Sequence, residues 1–180
     1  SISACALAPQ RLDLASNRQL IAQYHEGLAS AELRAIAAGF GATLGHAGIA
    51  PLPAPGARAP GPLRIGYLSP DLRAHPVGFL LRDVLPAHDP ARVAVRIYAA
   101  TPRPDWLTAE LRGRLPDWHE ATMEDDAALA ARIRADAIDV LVDLKGHTQD
   151  SRLAILARRP APVQVHYLGF PGTLGFDAVT

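Results

Sequence analysis

Hydrophobic positions change their period along this chain, and each change marks a different kind of structure. From Ser16 to about Leu44 they recur at three- and four-residue steps: Leu20, Ile21, Tyr24 and Leu28, then Leu33, Ile36, Ala37, Phe40 and Leu44. That spacing predicts two amphipathic helices. Ser16 with Gln19 three residues on reads as a capping box for the first, and Gly27 to Ser30 supplies a stop and a new cap. The pair forms an αα-hairpin, as in one repeat of a helical solenoid or in a plain helical bundle; a single pair has no period that separates the two.

Between Ala50 and Pro62 there are five prolines in thirteen residues. Proline lacks an amide hydrogen and fixes φ, so this stretch opposes helix and cannot pair as a central strand. It reads as a linker. The domain organisation expected is therefore a helical region over 1–49, a Pro/Ala/Gly-rich linker over 50–62, and an α/β region over 63–180.

Beyond the linker, short apolar runs alternate with helical patterns. Strands are expected at Leu63 to Leu68, Val93 to Ala100, Ile138 to Leu144 and Val163 to Leu168, and helices at Val77 to Ala87, Met123 to Ala135 and Arg152 to Arg159. The stretch between Ala100 and Met123 reads as irregular. Alternation of this kind means βαβ units. Short β-branched runs such as Ile138 to Val142 are those of strands covered on both faces, so the fold class is α/β with a parallel, doubly wound sheet.

Charge and cysteine content narrow the partners. The 18 basic and 18 acidic residues among 180 cancel and are interspersed, which gives no electrostatic support to nucleic-acid or anionic-membrane binding. A neutral polar partner fits better. Cys5 is the sole cysteine, so no intrachain disulfide forms and a reducing, cytoplasmic setting is expected. No apolar run reaches the roughly 18 residues of a spanning helix, and no membrane partner is expected.

In a doubly wound sheet, ligands sit outside the carboxyl ends of the strands. The first such loop brings Ser69, Asp71, Arg73 and His75 ahead of a helix. Pro76 biases His75 towards extended backbone and suits the first helical turn, so the imidazole stands at a strand-to-helix corner. The residues alone leave His75 two roles: a hydrogen bonder at the helix start, or a group that takes or relays a proton near neutral pH. The next loop, Asp143 to Thr148, has Gly146 for close backbone approach; His147 and Thr148 could donate to a ligand or brace a neighbouring loop, and Asp143 with His147 could form a structural pair. The last, Gly169 to Gly175, exposes backbone amides suited to a phosphate or sugar. Asp125, Asp126, Asp136 and Asp139 read as solvated charges at helix starts and strand flanks. Walker A, HExxH, GxSxG and Asp-x-Asp patterns do not occur.

Taken jointly, Leu63-Arg-Ile-Gly-Tyr-Leu-Ser-Pro-Asp71, His75-Pro76, Asp139-Val-Leu-Val-Asp-Leu-Lys-Gly-His-Thr148, Arg159-Pro-Ala-Pro-Val-Gln164 and Leu168-Gly-Phe-Pro-Gly-Thr173 resemble the O-GlcNAc transferase family, nucleocytoplasmic enzymes with bacterial homologues. The resemblance covers Leu63 to Thr180. It implies a Rossmann-like N-terminal lobe of a GT-B glycosyltransferase, preceded by helices like those of tetratricopeptide (TPR) repeats. It also implies transfer of N-acetylglucosamine from UDP-GlcNAc to Ser or Thr hydroxyls of proteins, with inversion and without a metal or other cofactor. The family's active-site histidine maps onto His75, as a base or as a group orienting donor and acceptor. Pro171, Gly172 and Thr173 would line the cleft, with His147 and Thr148 as further substrate-binding residues. Because GT-B enzymes hold the nucleotide sugar mainly in the second lobe, the segment is expected to be inactive alone and to need the remaining C-terminal lobe. Two rival readings are a TPR-type protein-binding module with a non-catalytic α/β domain, and a GT-B transferase with another donor, such as a fucosyl nucleotide, or another acceptor.

Overall fold

A computed structural model describes residues 7–8, 10–58 and 60–178; Cys5 and the end of the chain lie outside the described residues. Its five strands are β1 (Leu63–Ser69), β2 (Val93–Ala99), β3 (Trp118–Glu120), β4 (Val140–Asp143) and β5 (Val163–His166), all parallel and ordered β3-β2-β1-β4-β5. The order reverses between β1 and β4. Each helix follows a strand or precedes the sheet: α1 (Leu12–Ala22), α2 (Ser30–His46), α3 (Pro76–Val84, continued by a 3₁₀ turn at Leu85–Ala87), α4 (Trp106–Arg114), α5 (Asp126–Ala135) and α6 (Leu153–Ala157).

Both faces of the sheet are covered, as the near-continuous apolar strands require. Tyr67, Ile97, Ala99 and Val142 face one way and bury Val77 and Leu81 of α3 with Leu107 and Leu111 of α4. Their chain neighbours Leu68, Tyr98 and Leu141 face the other way, against Leu129 and Ile133 of α5 and Leu156 of α6. That second core also takes in Ala15 of α1 and Phe40 and Leu44 of α2. The helical pair thus shares a core with the sheet. The proline-rich stretch is pinned there too: the Leu52 amide donates to the Arg158 carbonyl at 2.7 Å, Arg134 donates to the Pro53 carbonyl, and Arg58 pairs with Asp139 at 3.2 Å.

Four local expectations are corrected. Ser16 caps nothing: α1 begins at Leu12, and Ser16 and Gln19, one turn apart, are buried on its inner face. Ser30 is likewise already helical; Ala29 is the cap residue, and its amide is satisfied by the Glu32 carboxylate at 2.8 Å. Ile21 and Tyr24 are exposed because α1 packs through the smaller Ala15, Ser16 and Ala22. The region read as irregular holds α4 and β3. Asp105 caps α4 by accepting from Leu107 and Thr108 amides, while Leu107 and Leu111 lie one turn apart on its buried face. Prolines at 102 and 104 and a strand of three residues hid both elements.

Candidate active site

The reversal of strand order opens a crevice between the carboxyl ends of β1 and β4, where a doubly wound sheet places its ligand. Register sets what meets there. Leu68 pairs with Asp143, so the chains leave the sheet level, and Asp71 comes opposite Lys145. The Lys145 ammonium stands 2.5 Å from Asp71 Oδ2, although the two residues are 74 positions apart. Both are buried, Asp71 to 2% exposure and Lys145 to 8%. Burial of either charge alone would be costly, so each depends on the other. Ser69 Oγ accepts from the Asp71 amide at 3.0 Å, and Arg73 reaches Asp71 Oδ1 at 3.4 Å.

His75 rises from the edge of this pair. Its backbone is extended, Pro76 opens α3 after it, and its Nδ1 accepts from the Val77 amide at 3.3 Å. Gly78 permits the tight turn into α3, since a Cβ there would sit 2.1 Å from the Arg73 carbonyl oxygen. The side chain is one-third exposed, and Nδ1 lies 3.8 Å from Asp71 Oδ2, beyond hydrogen-bond reach. Partial burial lowers the ring's pKa below its ordinary value; Asp71 opposes this, and Lys145 and Arg73 add to it. The neutral form of His75 is thereby favoured. A neutral ring whose Nδ1 accepts carries its proton on Nε2, and no described residue hydrogen-bonds that nitrogen.

His147 and Thr148 occupy a different setting. The His147 ring is buried, with Nδ1 2.9 Å from Ser16 Oγ of α1 and Nε2 3.1 Å from the Leu174 carbonyl. A carbonyl only accepts, so Nε2 carries the proton and Nδ1 accepts from Ser16. Burial lowers its pKa to about 4. With Phe40 at 4.5 Å and Phe170 at 5.2 Å edge-on and both nitrogens engaged, the ring braces α1 against the glycine-rich loop. Asp143 does not pair with it either: Asp143 Oδ2 accepts from the Gly146 amide at 2.7 Å and lies 3.1 Å from His166 Nδ1. Thr148 donates to the Lys145 carbonyl at 3.0 Å and borders a cavity of about 410 Å³ between α1, α2 and α6.

The glycine-rich loop packs on the helical pair. Gly172 abuts Gln23, where a Cβ would meet the side chain at 3.0 Å, while Pro171 and Thr173 are exposed. The Thr173 hydroxyl accepts from the Gly175 amide at 3.3 Å. Of the acidic residues read as solvated charges, Asp125 is exposed at a helix start as expected, whereas Asp136 and Asp139 hold structural hydrogen bonds. Asp125 caps α5, Asp136 accepts from the buried Tyr98 hydroxyl at 2.7 Å, and Asp139 accepts from the Arg64 amide at 2.8 Å. The pairing of Asp71 with Lys145 escaped sequence reading. Both lie in the strand-end loops, but the register that joins them is visible only in the fold.

A family model described as glycosyl transferase family 41 matches residues 47–179. The protein named "Probable UDP-N-acetylglucosamine--peptide N-acetylglucosaminyltransferase SPINDLY" of Arabidopsis thaliana is 37% identical over 122 residues, 66% of this chain and 13% of that protein. The protein of the same description named SEC, also from Arabidopsis thaliana, is 36% identical over 115 residues, 63% of this chain and 12% of that protein. In structure, a mutant of the Thermobaculum terrenum O-GlcNAc transferase superposes with a TM-score of 0.87 at 35% identity, over 98% of this chain and 34% of that one. The chain thus spans about an eighth of the curated relatives and a third of the solved protein. The chain belongs to glycosyl transferase family 41.

Proposed function

We propose that this chain forms the acceptor-side lobe of a cytoplasmic transferase that moves N-acetylglucosamine from UDP-GlcNAc to Ser or Thr hydroxyls of proteins, with inversion and without a metal. Family membership supports the reaction class, and the sheet's switch point supports the location. In such a transfer the acceptor oxygen bonds to the anomeric carbon as the bond to the diphosphate oxygen breaks. A proton leaves the hydroxyl, and negative charge develops on the departing UDP.

The observation that carries the reading is the state of His75. Its Nδ1 lone pair accepts from the Val77 amide at 3.3 Å, burial favours its neutral form, and in that form the proton is on Nε2. Such a ring orients an oxygen by donating to it; taking the hydroxyl proton is left to another group. Pro171, Gly172 and Thr173 are proposed to border the cleft beside it, and Thr148 to face the cavity at the helical pair.

The full-length protein with UDP-GlcNAc and a Ser/Thr peptide tests this directly. His75→Ala is expected to lower kcat/KM by about 100-fold or more with UDP binding retained. His75→Gln, which keeps an N–H at a similar reach but cannot titrate, is expected to recover much of that loss. Equal inactivity of the two variants would make His75 a base. Transfer from a fucosyl nucleotide in place of UDP-GlcNAc would reassign the donor.

A further inference from the structure

Two cationic or titratable groups face one oxygen at the switch point. Asp71 Oδ2 has the Lys145 ammonium at 2.5 Å and the His75 Nδ1 at 3.8 Å. A buried carboxylate takes the strongest donor available, and an ammonium at this distance leaves a neutral imidazole no place on that oxygen. We propose that Lys145 is a positioning residue for the active site: by occupying Asp71 Oδ2 it keeps His75 Nδ1 as an acceptor from Val77 and so fixes the ring proton on Nε2. This rests on the reading of His75 given above and deepens it.

The placement of Lys145 is built into the fold. It stands two residues past the end of β4, its carbonyl accepts from Thr148, and the next amide, of Gly146, is held by Asp143. Gly146 has φ +60°, and a Cβ there would sit 2.5 Å from Phe170 Cβ, so the backbone that delivers Lys145 has little freedom. On the other side, Asp71 is held by Ser69 Oγ at its amide, and the loop is tied to α4 through the Ala74 amide and Asp105 Oδ2 at 2.7 Å. The ionisable groups around His75 are thus Asp71 and Arg73 from its own loop, Lys145 from the loop after β4, and Asp105 from the start of α4, whose carboxylate is already used by amides of Ala74, Leu107 and Thr108.

Without Lys145, Asp71 keeps only the longer contact to Arg73, and the imidazole becomes the nearest group able to neutralise Oδ2. His75 then turns Nδ1–H towards Asp71 and abandons the Val77 amide. Its proton affinity rises, and near neutral pH the population shifts to imidazolium or to the tautomer with a bare Nε2. An opposite charge within reach of an imidazole typically moves its titration by about one pH unit or more, tenfold in proton affinity.

The experiment is a pH titration of the histidine ring nitrogens by NMR in the ¹⁵N-histidine-labelled full-length protein, with the His75 signals assigned by their loss in His75→Gln. Wild type is expected to show Nδ1 unprotonated and Nε2 protonated at pH 7. Lys145→Met is expected to raise the His75 midpoint about tenfold in proton affinity and to move the acid limb of kcat/KM by the same amount. Lys145→Arg, which keeps a cation for Oδ2, is expected to restore the wild-type ring, and Asp71→Asn combined with Lys145→Met to abolish the rise. If Lys145→Met does not fold, Lys145→Gln makes the same comparison. Unchanged His75 signals in a folded Lys145 variant overturn the proposal, as does a rise that persists when Asp71 is Asn. The ring signals report on Lys145 whether or not UDP-GlcNAc is the donor, so a failed assignment of the reaction remains separate from a failure here.

Discussion

The loop after β1 and the loops after β4 and β5 end the same sheet and carry similar side chains, but they treat their histidines in opposite ways. His75 is one-third exposed and has one ring nitrogen engaged. His147 is buried with both nitrogens engaged, by α1 on one side and by the glycine-rich loop on the other. His166 faces acceptors at both nitrogens, the Asp143 carboxylate and the Phe170 carbonyl at 2.8 Å. Burial pulls the His166 pKa down, but these bonds outweigh it and the net shift is upward. Partners therefore set the role. An imidazole with a nitrogen to spare is available for chemistry; one with none braces the elements packed around it.

The sharpest way to break that contrast is to force the scaffold apart while leaving the His75 loop untouched. Gly175 has φ +81°, and a Cβ on it would lie 2.0 Å from the Ala37 carbonyl oxygen of α2. Neither the left-handed backbone nor the backbone contact can be relieved by a side-chain rotation. Gly175→Ala should therefore cost roughly 4 kcal/mol or more in urea unfolding. Gly113→Ala, where nothing beyond its own helix backbone and chain neighbours lies within 4 Å of the added Cβ, should be neutral or stabilising by up to about 1 kcal/mol. A near-neutral Gly175→Ala would mean that the loop does not depend on the helical pair.

Sequence reading reached the α/β class, four of the five strands and the loop bearing His75, because apolar period and the rule for strand ends are local or topological signals. It missed α4, whose start is marked only by Asp105 and Thr108 after two prolines, and β3, too short to show alternation. Ser16 was misread for the same local reason. Its spacing to Gln19 matches a capping box, whereas the partner that defines its role, His147, is 131 positions away. Asp71 and Lys145 were likewise separate letters until register joined them. What escaped was pairing across the fold.

A smaller effect distinguishes the braced histidine by pH. His147 has a folded pKa of about 4 against about 6.5 when unfolded, so the unfolded chain binds the proton first as pH falls. Its contribution is complete above about pH 6.5 and is lost progressively down to about pH 4, on the order of 3 kcal/mol in total. His166 runs the other way. Its raised pKa gives stability that is full below about 6.5 and fades as pH rises through the folded value. Replacing His147 by Gln should flatten the stability profile between pH 6.5 and 4 relative to wild type; an unchanged slope would assign the acid sensitivity to other groups.

The gentlest test removes a single hydroxyl. Ser16→Ala deletes the donor to His147 Nδ1 and leaves that nitrogen buried without a partner, at a cost of about 1–2 kcal/mol. Because α1 and the loop after β4 communicate through this contact, the cost should shrink when His147 is already Gln, and a double-mutant cycle isolates the shared part. Peptide glycosylation per folded molecule should stay at the wild-type level, since His75 keeps Val77 and Asp71 keeps Lys145. A loss of kcat with unchanged unfolding would show instead that the helical pair acts on the chemistry through Ser16, and the line drawn between the open and the braced strand ends would have to move.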